Sequence, residues 1–246
     1  TVPGCVHLDL LDNNQISDPF FGTNENDIQW ISEKDWIYRL IFKPDPELLI
    51  RDQIILTFYG LDTYAQVFLN NEKILESNNM FHPWTSEVKN ILHKGENELL
   101  VHFLSPINKV LPFLQSKDHT LPADNDQIKK TSPYTRKAPY HYGWDWGPSL
   151  ATSGVWRSVE LIGLGAWSIE SAHIIQEKIS KHSAKLVLEM CVDSSIETEA
   201  GLTIVDNQSE IKIVNSVPLS KGLNQLRQSI VINHPDLWWP AGHGDQ

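Results

Sequence analysis

Cysteine is nearly missing from this sequence: Cys5 and Cys191 are the only two in 246 residues. One pair this far apart in sequence builds no disulfide framework, so two free thiols are expected. No apolar run approaches the roughly 20 residues that a membrane-spanning helix needs. Positive charge is short as well. Lys and Arg number 20 against 31 Asp and Glu, a formal net charge of −11. That balance argues against the cationic footprint of a nucleic-acid binder and against adsorption to anionic lipid. Long helical periodicity is also absent, so the expected class is all-β. Neither an initiator Met nor an apolar leader precedes Thr1-Val2-Pro3. The start is therefore expected to be cut, and no compartment is assigned.

What the sequence has in quantity is tryptophan, nine residues of it. Two fall in one stretch, Arg136-Lys137-Ala138-Pro139-Tyr140-His141-Tyr142-Gly143-Trp144-Asp145-Trp146-Gly147-Pro148, with two tyrosines, two cations and a single carboxylate. Gly143 and Gly147 bracket the Trp-Asp-Trp core, while Pro139 and Pro148 stiffen its ends, which is the grammar of a shaped loop. Flat aromatic faces beside a carboxylate suit a sugar ring: the rings cover its C–H face and the carboxylate accepts from its hydroxyls. The alternative is a buried plug in which Asp145 caps local N–H groups, and the stretch alone leaves both open.

Along the chain, residues 3–27 carry repeated turn signals and are expected to be irregular. Period-two runs then predict strands at 36–43, 54–59, 64–69 and 98–104, with Asn70-Asn71 as a tight hairpin turn into 72–75. Thr85 or Ser86 is expected to cap one helical turn ended by Gly95. The Pro-punctuated connection 105–135 is long enough to be functional or mobile. A strand at 155–162 leaves the aromatic loop. The segment 163–165 is a candidate boundary. Beyond it, shorter runs at 168–176, 185–192, 201–205, 211–214 and 225–232 alternate with turn clusters at 193–200, 206–210 and 218–224. They predict a small antiparallel sandwich of about five strands, where an immunoglobulin-like one has roughly seven.

The order of the motifs narrows the reading. Val2-Pro3-Gly4-Cys5-Val6-His7, Asp18-Pro19-Phe20-Phe21-Gly22-Thr23-Asn24-Glu25, Gly60-Leu61-Asp62-Thr63-Tyr64-Ala65, Asn79-Met80-Phe81-His82-Pro83-Trp84, Gly95-Glu96-Asn97-Glu98-Leu99 and the loop at 136–148 resemble the amino-terminal region of glycoside hydrolase family 2. So do Ser153-Gly154-Val155-Trp156-Arg157 and Leu237-Trp238-Trp239-Pro240. The Gly-Trp-Asp-Trp-Gly-Pro form of the loop resembles the β-mannosidase branch more than the β-galactosidase or β-glucuronidase branches. One departure is His82, where relatives often carry Arg; that position is read as structural.

The resemblance implies a jelly-roll, galactose-binding-like β-sandwich over 1–163 and an incomplete immunoglobulin-like β-sandwich over 164–246, with a catalytic (β/α)8 barrel lying outside this chain. It implies retaining hydrolysis of terminal non-reducing β-D-mannose by two barrel glutamates about 5–5.5 Å apart, so no catalytic residue is assigned within 1–246. The loop at 136–148 would reach over the barrel mouth and line the sugar subsite. Asp145 would accept from mannose hydroxyls, Trp144 would wall the pocket, Asn24 is a second substrate-binding candidate, and Trp146 would pack beneath the loop. The implied partners are a β-mannoside or mannose-containing oligosaccharide and the barrel of the same parent chain, with no nucleic acid and no membrane insertion. No cofactor is implied. Some relatives hold ions near this loop, but His141, Asp145 and His243 have no metal-ligand spacing, so no metal is expected. A stand-alone carbohydrate-binding module and another family 2 exo-glycosidase, such as an exo-glucosaminidase, remain open alternatives.

Overall fold

The computed structural model describes residues 1–119, 121–126, 129–205 and 212–244. Thr120, Gln127 and Ile128 within the long connection, the turn expected at 206–210, the beginning of the strand expected from Ile211, and the last two residues lie outside them. The chain divides into two compact units, Thr1–Gly163 and Leu164–Gln246.

The first unit is an antiparallel β-sandwich of jelly-roll type. Its strands are β1 (Trp36–Phe42), β2 (Gln53–Phe58), β3 (Leu61–Asp62), β4 (Tyr64–Leu69), β5 (Glu72–Asn78), β6 (Trp84–Glu87), β7 (Asn97–Phe103), β8 (Gly154–Val155) and β9 (Val159–Leu164). One sheet has the order β1-β7-β4-β5 and the other β6-β2-β9, with β3 paired to β8 between them in the chain path. Alternation puts Ala65, Val67 and Leu69 of β4 and Leu99, Val101 and Phe103 of β7 on the inner face. Ile54, Leu56 and Phe58 of β2 belong to the same buried cluster, so the two sheets close over one core. Asn70 and Asn71 both take positive φ, 51° and 68°, which is the primed turn that matches strand twist.

Three local expectations change. Residues 3–27 are not irregular throughout: Val6–Asp12 is an α-helix, α1, and Asn24–Glu33 a 3-10 helix. Val6, Ile28 and Ile31 bury together, with Leu10 and Ile16 packed against them, so apolar residues at short helical spacing won over the turn signals around them. Thr85 and Ser86 do not cap a helix. They lie in β6 opposite Thr57 and Leu56, and the hydrogen-bonded turn starts later, with Leu92 N–H donating to Val88 O at 3.1 Å. The strand at 155–162 is interrupted after Val155, where the Trp156 indole N–H turns inward to donate to Met80 O at 3.0 Å. A Cβ on Gly60 would lie 2.3 Å from that indole nitrogen, so glycine is what lets the ring seat there.

The second unit contains, among the described residues, β10 (Trp167–Ile179), β11 (Ser183–Ser194), β12 (Thr198–Val205), β13 (Lys212–Leu219) and β14 (Gly222–Asn233). Sheets β10-β11-β14 and β12-β13 share a core of Met190, Val192, Ala200 and Leu219. Both cysteines are free thiols.

Candidate functional site

The aromatic loop rises from the first unit on two stems. At its entrance Arg136 bridges Asn79, and Met80 N–H donates to Arg136 O at 3.0 Å. Pro139 then opens a 3-10 turn, Pro139–Tyr142, where a missing N–H costs nothing. Gly143 follows at φ 113°, and a Cβ there would sit 2.9 Å from Asn125 O. The chain doubles back in a tight hairpin: Trp144 N–H donates to Gly147 O at 3.4 Å and Gly147 N–H to Trp144 O at 3.3 Å. Beyond it, Ser149 N–H donates to the Glu25 carboxylate at 3.2 Å, and the Gln29 amide donates to Ser149 O at 2.8 Å. The 3-10 helix Asn24–Glu33 therefore braces the exit stem.

This geometry puts Asp145 and Trp146 at the hairpin tip. Trp146 is 83% exposed and Trp144 43%, their rings 5.7 Å apart and tilted by 66°. Trp146 does not pack beneath the loop as expected, because a hairpin this tight leaves its two tip side chains no core to turn toward. Trp144 divides two clefts. On one side is a polar cleft of about 320 Å³, lined by Glu25, Asn26, Gln29, Asn125 and Asp145. On the other is an apolar cleft of about 540 Å³, lined by Phe20, Tyr140, His141, Trp146 and Thr152. The structure thus brings Trp144 and Asp145 to a common site. Asn24 stands apart: its amide donates to Asp18 O at 2.8 Å within its own loop, and its neighbours Glu25 and Asn26 face the cleft instead.

Beneath the clefts lies a buried polar cluster. Lys137, with no exposed side-chain surface, pairs with Asp62 of β3. Its ammonium also donates to Thr152 O at 2.9 Å and to Thr152 Oγ1 at 3.0 Å. Thr152 Oγ1–H donates to Asp62 at 2.7 Å, and Thr63 Oγ1–H to the other Asp62 oxygen at 2.5 Å. All three ammonium protons are therefore placed. Burial pushes the Lys137 ammonium down, and the Asp62 charge opposes that. His141 Nδ1 is 3.3 Å from Thr152 Oγ1. Since that hydroxyl proton goes to Asp62, Nδ1 is the donor and Nε2 keeps its lone pair. Burial, then the Lys137 charge, pushes His141 down to about 4, with Asp62 opposing, so the ring is neutral near pH 7. His7 of α1 is shifted down to about 4 by the same two causes.

This cluster carried little sequence signal. Lys137 was only one of two cations in the motif, Asp62 and His7 stood in other motifs and Thr152 in none; their meeting depends on the β3–β8 pairing of Asp62 with Gly154. Among the described residues no group of three or more His, Cys, Asp or Glu is arranged to hold a metal ion, and no helix there is long and apolar enough to cross a membrane.

A profile of the glycosyl hydrolase 2 galactose-binding domain-like family matches residues 1–157. Beta-mannosidase B of Aspergillus niger is 35% identical over 99% of this chain, which spans 29% of that protein. The crystal structure of beta-D-mannosidase from Dictyoglomus thermophilum superposes on 100% of this chain with a TM-score of 0.90 and 36% identity, the chain covering 30% of it. An exo-chitosanase of Amycolatopsis orientalis shares the fold, with a TM-score of 0.68 at 22% identity over 98% of this chain and 26% of its own. The chain thus spans less than a third of the length of each of these relatives. Strands β1 to β8, the Trp144-Asp145 hairpin, its Glu25 brace and the Lys137–Asp62 cluster beneath it all fall inside the matched stretch, and the chain belongs to the glycosyl hydrolase 2 galactose-binding domain-like family.

Proposed function

We propose that residues 1–246 are the amino-terminal, non-catalytic portion of a retaining β-mannosidase that removes terminal non-reducing β-D-mannose. In this reading 1–163 is the sugar-binding jelly roll and 164–246 part of an immunoglobulin-like sandwich. Acid/base and nucleophile are two carboxylates of a (β/α)8 barrel carried elsewhere in the parent chain. The loop at 136–148 completes the barrel's sugar subsite. Asp145 accepts from mannose hydroxyls and Trp144 covers the apolar face of the ring; Asn24, with its amide already engaged, contributes at the margin.

The observation that supports this most is the exposed pairing of Trp144 with Asp145 beside a polar cleft. A loop plug would bury those groups. An aromatic wall and a free carboxylate on a braced hairpin match what a pyranose offers, one apolar face and a rim of hydroxyls.

The test is Asp145→Ala in the full-length parent, assayed on an aryl β-mannoside. A hydrogen bond to a charged group is worth about 1.5–3 kcal/mol, so kcat/KM is expected to fall roughly tenfold to hundredfold with the melting temperature unchanged. Unaltered kcat/KM removes Asp145 from the sugar site.

A further inference from the structure

We propose that Lys137, Asp62 and Thr152 form a positioning clasp that closes the neck of the aromatic loop and holds Trp144 and Asp145 in one preformed arrangement. Lys137 is on the entrance stem, separated from the Pro139–Tyr142 turn by Ala138 alone, and Thr152 is on the exit stem, 15 residues later. Two of the three ammonium protons bind Thr152 and the third binds Asp62. Asp62 is on β3, paired to β8 opposite Gly154, so it belongs to the sandwich and not to the loop. Both stems are thus tied to each other and to a fixed strand through one buried charge. The chain start seals the clasp: Val6 N–H donates to Ser153 O at 2.8 Å and Gly4 N–H to Val155 O at 2.9 Å.

A buried ion pair is a poor way to add stability, since apolar residues of similar volume serve as well or better. What a pair with three directional partners supplies is position: a packed apolar neck tolerates sliding, whereas each of these bonds has one geometry. The clasp also orients the cleft. Thr152 Oγ1 accepts a hydrogen bond from His141 Nδ1–H, which fixes the ring that lines the apolar cleft and leaves its Nε2 as an acceptor. The groups around Lys137 and His141 are Asp62, His7, Cys5 and Thr152, from β3, the α1 entrance and the exit stem.

The kinetic side of this inference rests on the proposed sugar role of the loop; the structural side does not. The experiment uses the intact protein with Thr152→Val, which keeps shape and ion pair but loses Oγ1, and with Thr152→Ser, which restores it. The double variant Lys137→Met with Asp62→Leu removes both charges together and so leaves no lone buried charge. Two readouts are taken: amide hydrogen exchange over 138–151 against β4 and β7, and kcat and KM on an aryl β-mannoside. In Thr152→Val and the double variant, exchange in the loop is expected to rise about tenfold with the core unchanged, and Thr152→Ser to restore it. A loop displaced for a sizeable fraction of the time lowers apparent affinity by that fraction, so the expected direction is a higher KM with kcat unchanged. A merely structural role would instead lower kcat through loss of folded enzyme, with KM unmoved. Loop exchange that stays at the wild-type rate in both variants, or loop and core exchange rising together, overturns the clasp. Loop exchange that rises while KM does not move upholds the clasp and leaves the sugar role of the loop to the Asp145→Ala test.

Discussion

The Glu25 carboxylate accepts the Ser149 main-chain N–H at 3.2 Å across 124 positions of sequence. With Gln29 bridging Ser149 O and Glu25 O, both at 2.8 Å, it fastens the exit stem of the aromatic loop to the 3-10 helix Asn24–Glu33. Glu25 therefore faces the polar cleft with one oxygen already engaged, a brace more than a free ligand. Glu25→Gln keeps an acceptor and is expected to cost little. Glu25→Ala leaves Ser149 N–H without its partner and is expected to cost about 1 kcal/mol in urea unfolding, with loop amides exchanging faster. Equal stability of the two variants would show that the bond does not hold the stem.

Stability should fall in acid through two histidines, His7 buried and His141 half-buried. His7 and His141 are held near 4 in the folded chain against 6.5 in the unfolded one. Between those values the unfolded state binds more protons, so stability drops as pH falls from about 6.5 to about 4 and is level above and below that window. Each histidine accounts for up to about 3 kcal/mol at 1.36 kcal/mol per pKa unit, and as neighbours they do not add. Urea unfolding at pH 7.5, 5.5 and 4.5 should show the slope, and His7→Leu should flatten it. An unchanged slope in both His7→Leu and His141→Gln would place the acid sensitivity elsewhere.

Gly60→Ala tests why the strand leaving the loop is interrupted. Its Cβ would meet the Trp156 indole at 2.3 Å, and that ring also packs against Arg157 at 4.2 Å and donates to Met80 O. Overpacking of this kind costs about 1–3 kcal/mol, read as a lower denaturation midpoint at an unchanged m-value. A midpoint at the wild-type value would mean that the ring relocates freely.

What was legible in the sequence followed the range of the signal. Strands such as Tyr64–Leu69 write themselves in period two because one face meets the core, and Asn70-Asn71 announces its turn because few residues tolerate φ of 51° and 68°. Short helices were hidden: of Val6–Asp12 only Val6 and Leu10 join the buried cluster, and turn residues flank the helix. Trp144 and Asp145 were readable as a pair because the hairpin presents neighbours together. The orientation of Trp146 was not, since it depends on which residues occupy the tip. The Asp62–Lys137 pair spans 75 positions, and nothing local in Leu61-Asp62-Thr63 marks a carboxylate that will be buried.

The 246-residue chain by itself is expected to leave an aryl β-mannoside untouched. In the proposed reading both reacting carboxylates belong to the barrel, and hairpin contacts cannot replace acid/base and nucleophilic catalysis. Turnover by the pure chain, abolished by changing a carboxylate within 1–246, would require a different assignment of the active site.

Trp146 separates a surface built for something outside the first unit from an ornament of the loop. At 83% exposure its ring meets that of Trp144 and lines the apolar cleft. Trp146→Ala in the isolated chain should therefore change unfolding free energy by no more than about 0.5 kcal/mol, as surface changes do. In the proposed reading the same ring lies against sugar or barrel wall in the full-length parent. Aromatic packing is worth about 0.5–1.5 kcal/mol beyond area burial, so kcat/KM on an aryl β-mannoside should fall about two- to tenfold. The two measurements are expected to disagree in this way, neutral in the chain and costly in the parent. A loss of stability in the isolated chain would instead make Trp146 part of the loop's own packing, and wild-type kcat/KM in the parent would leave its exposed face without a role in the reaction.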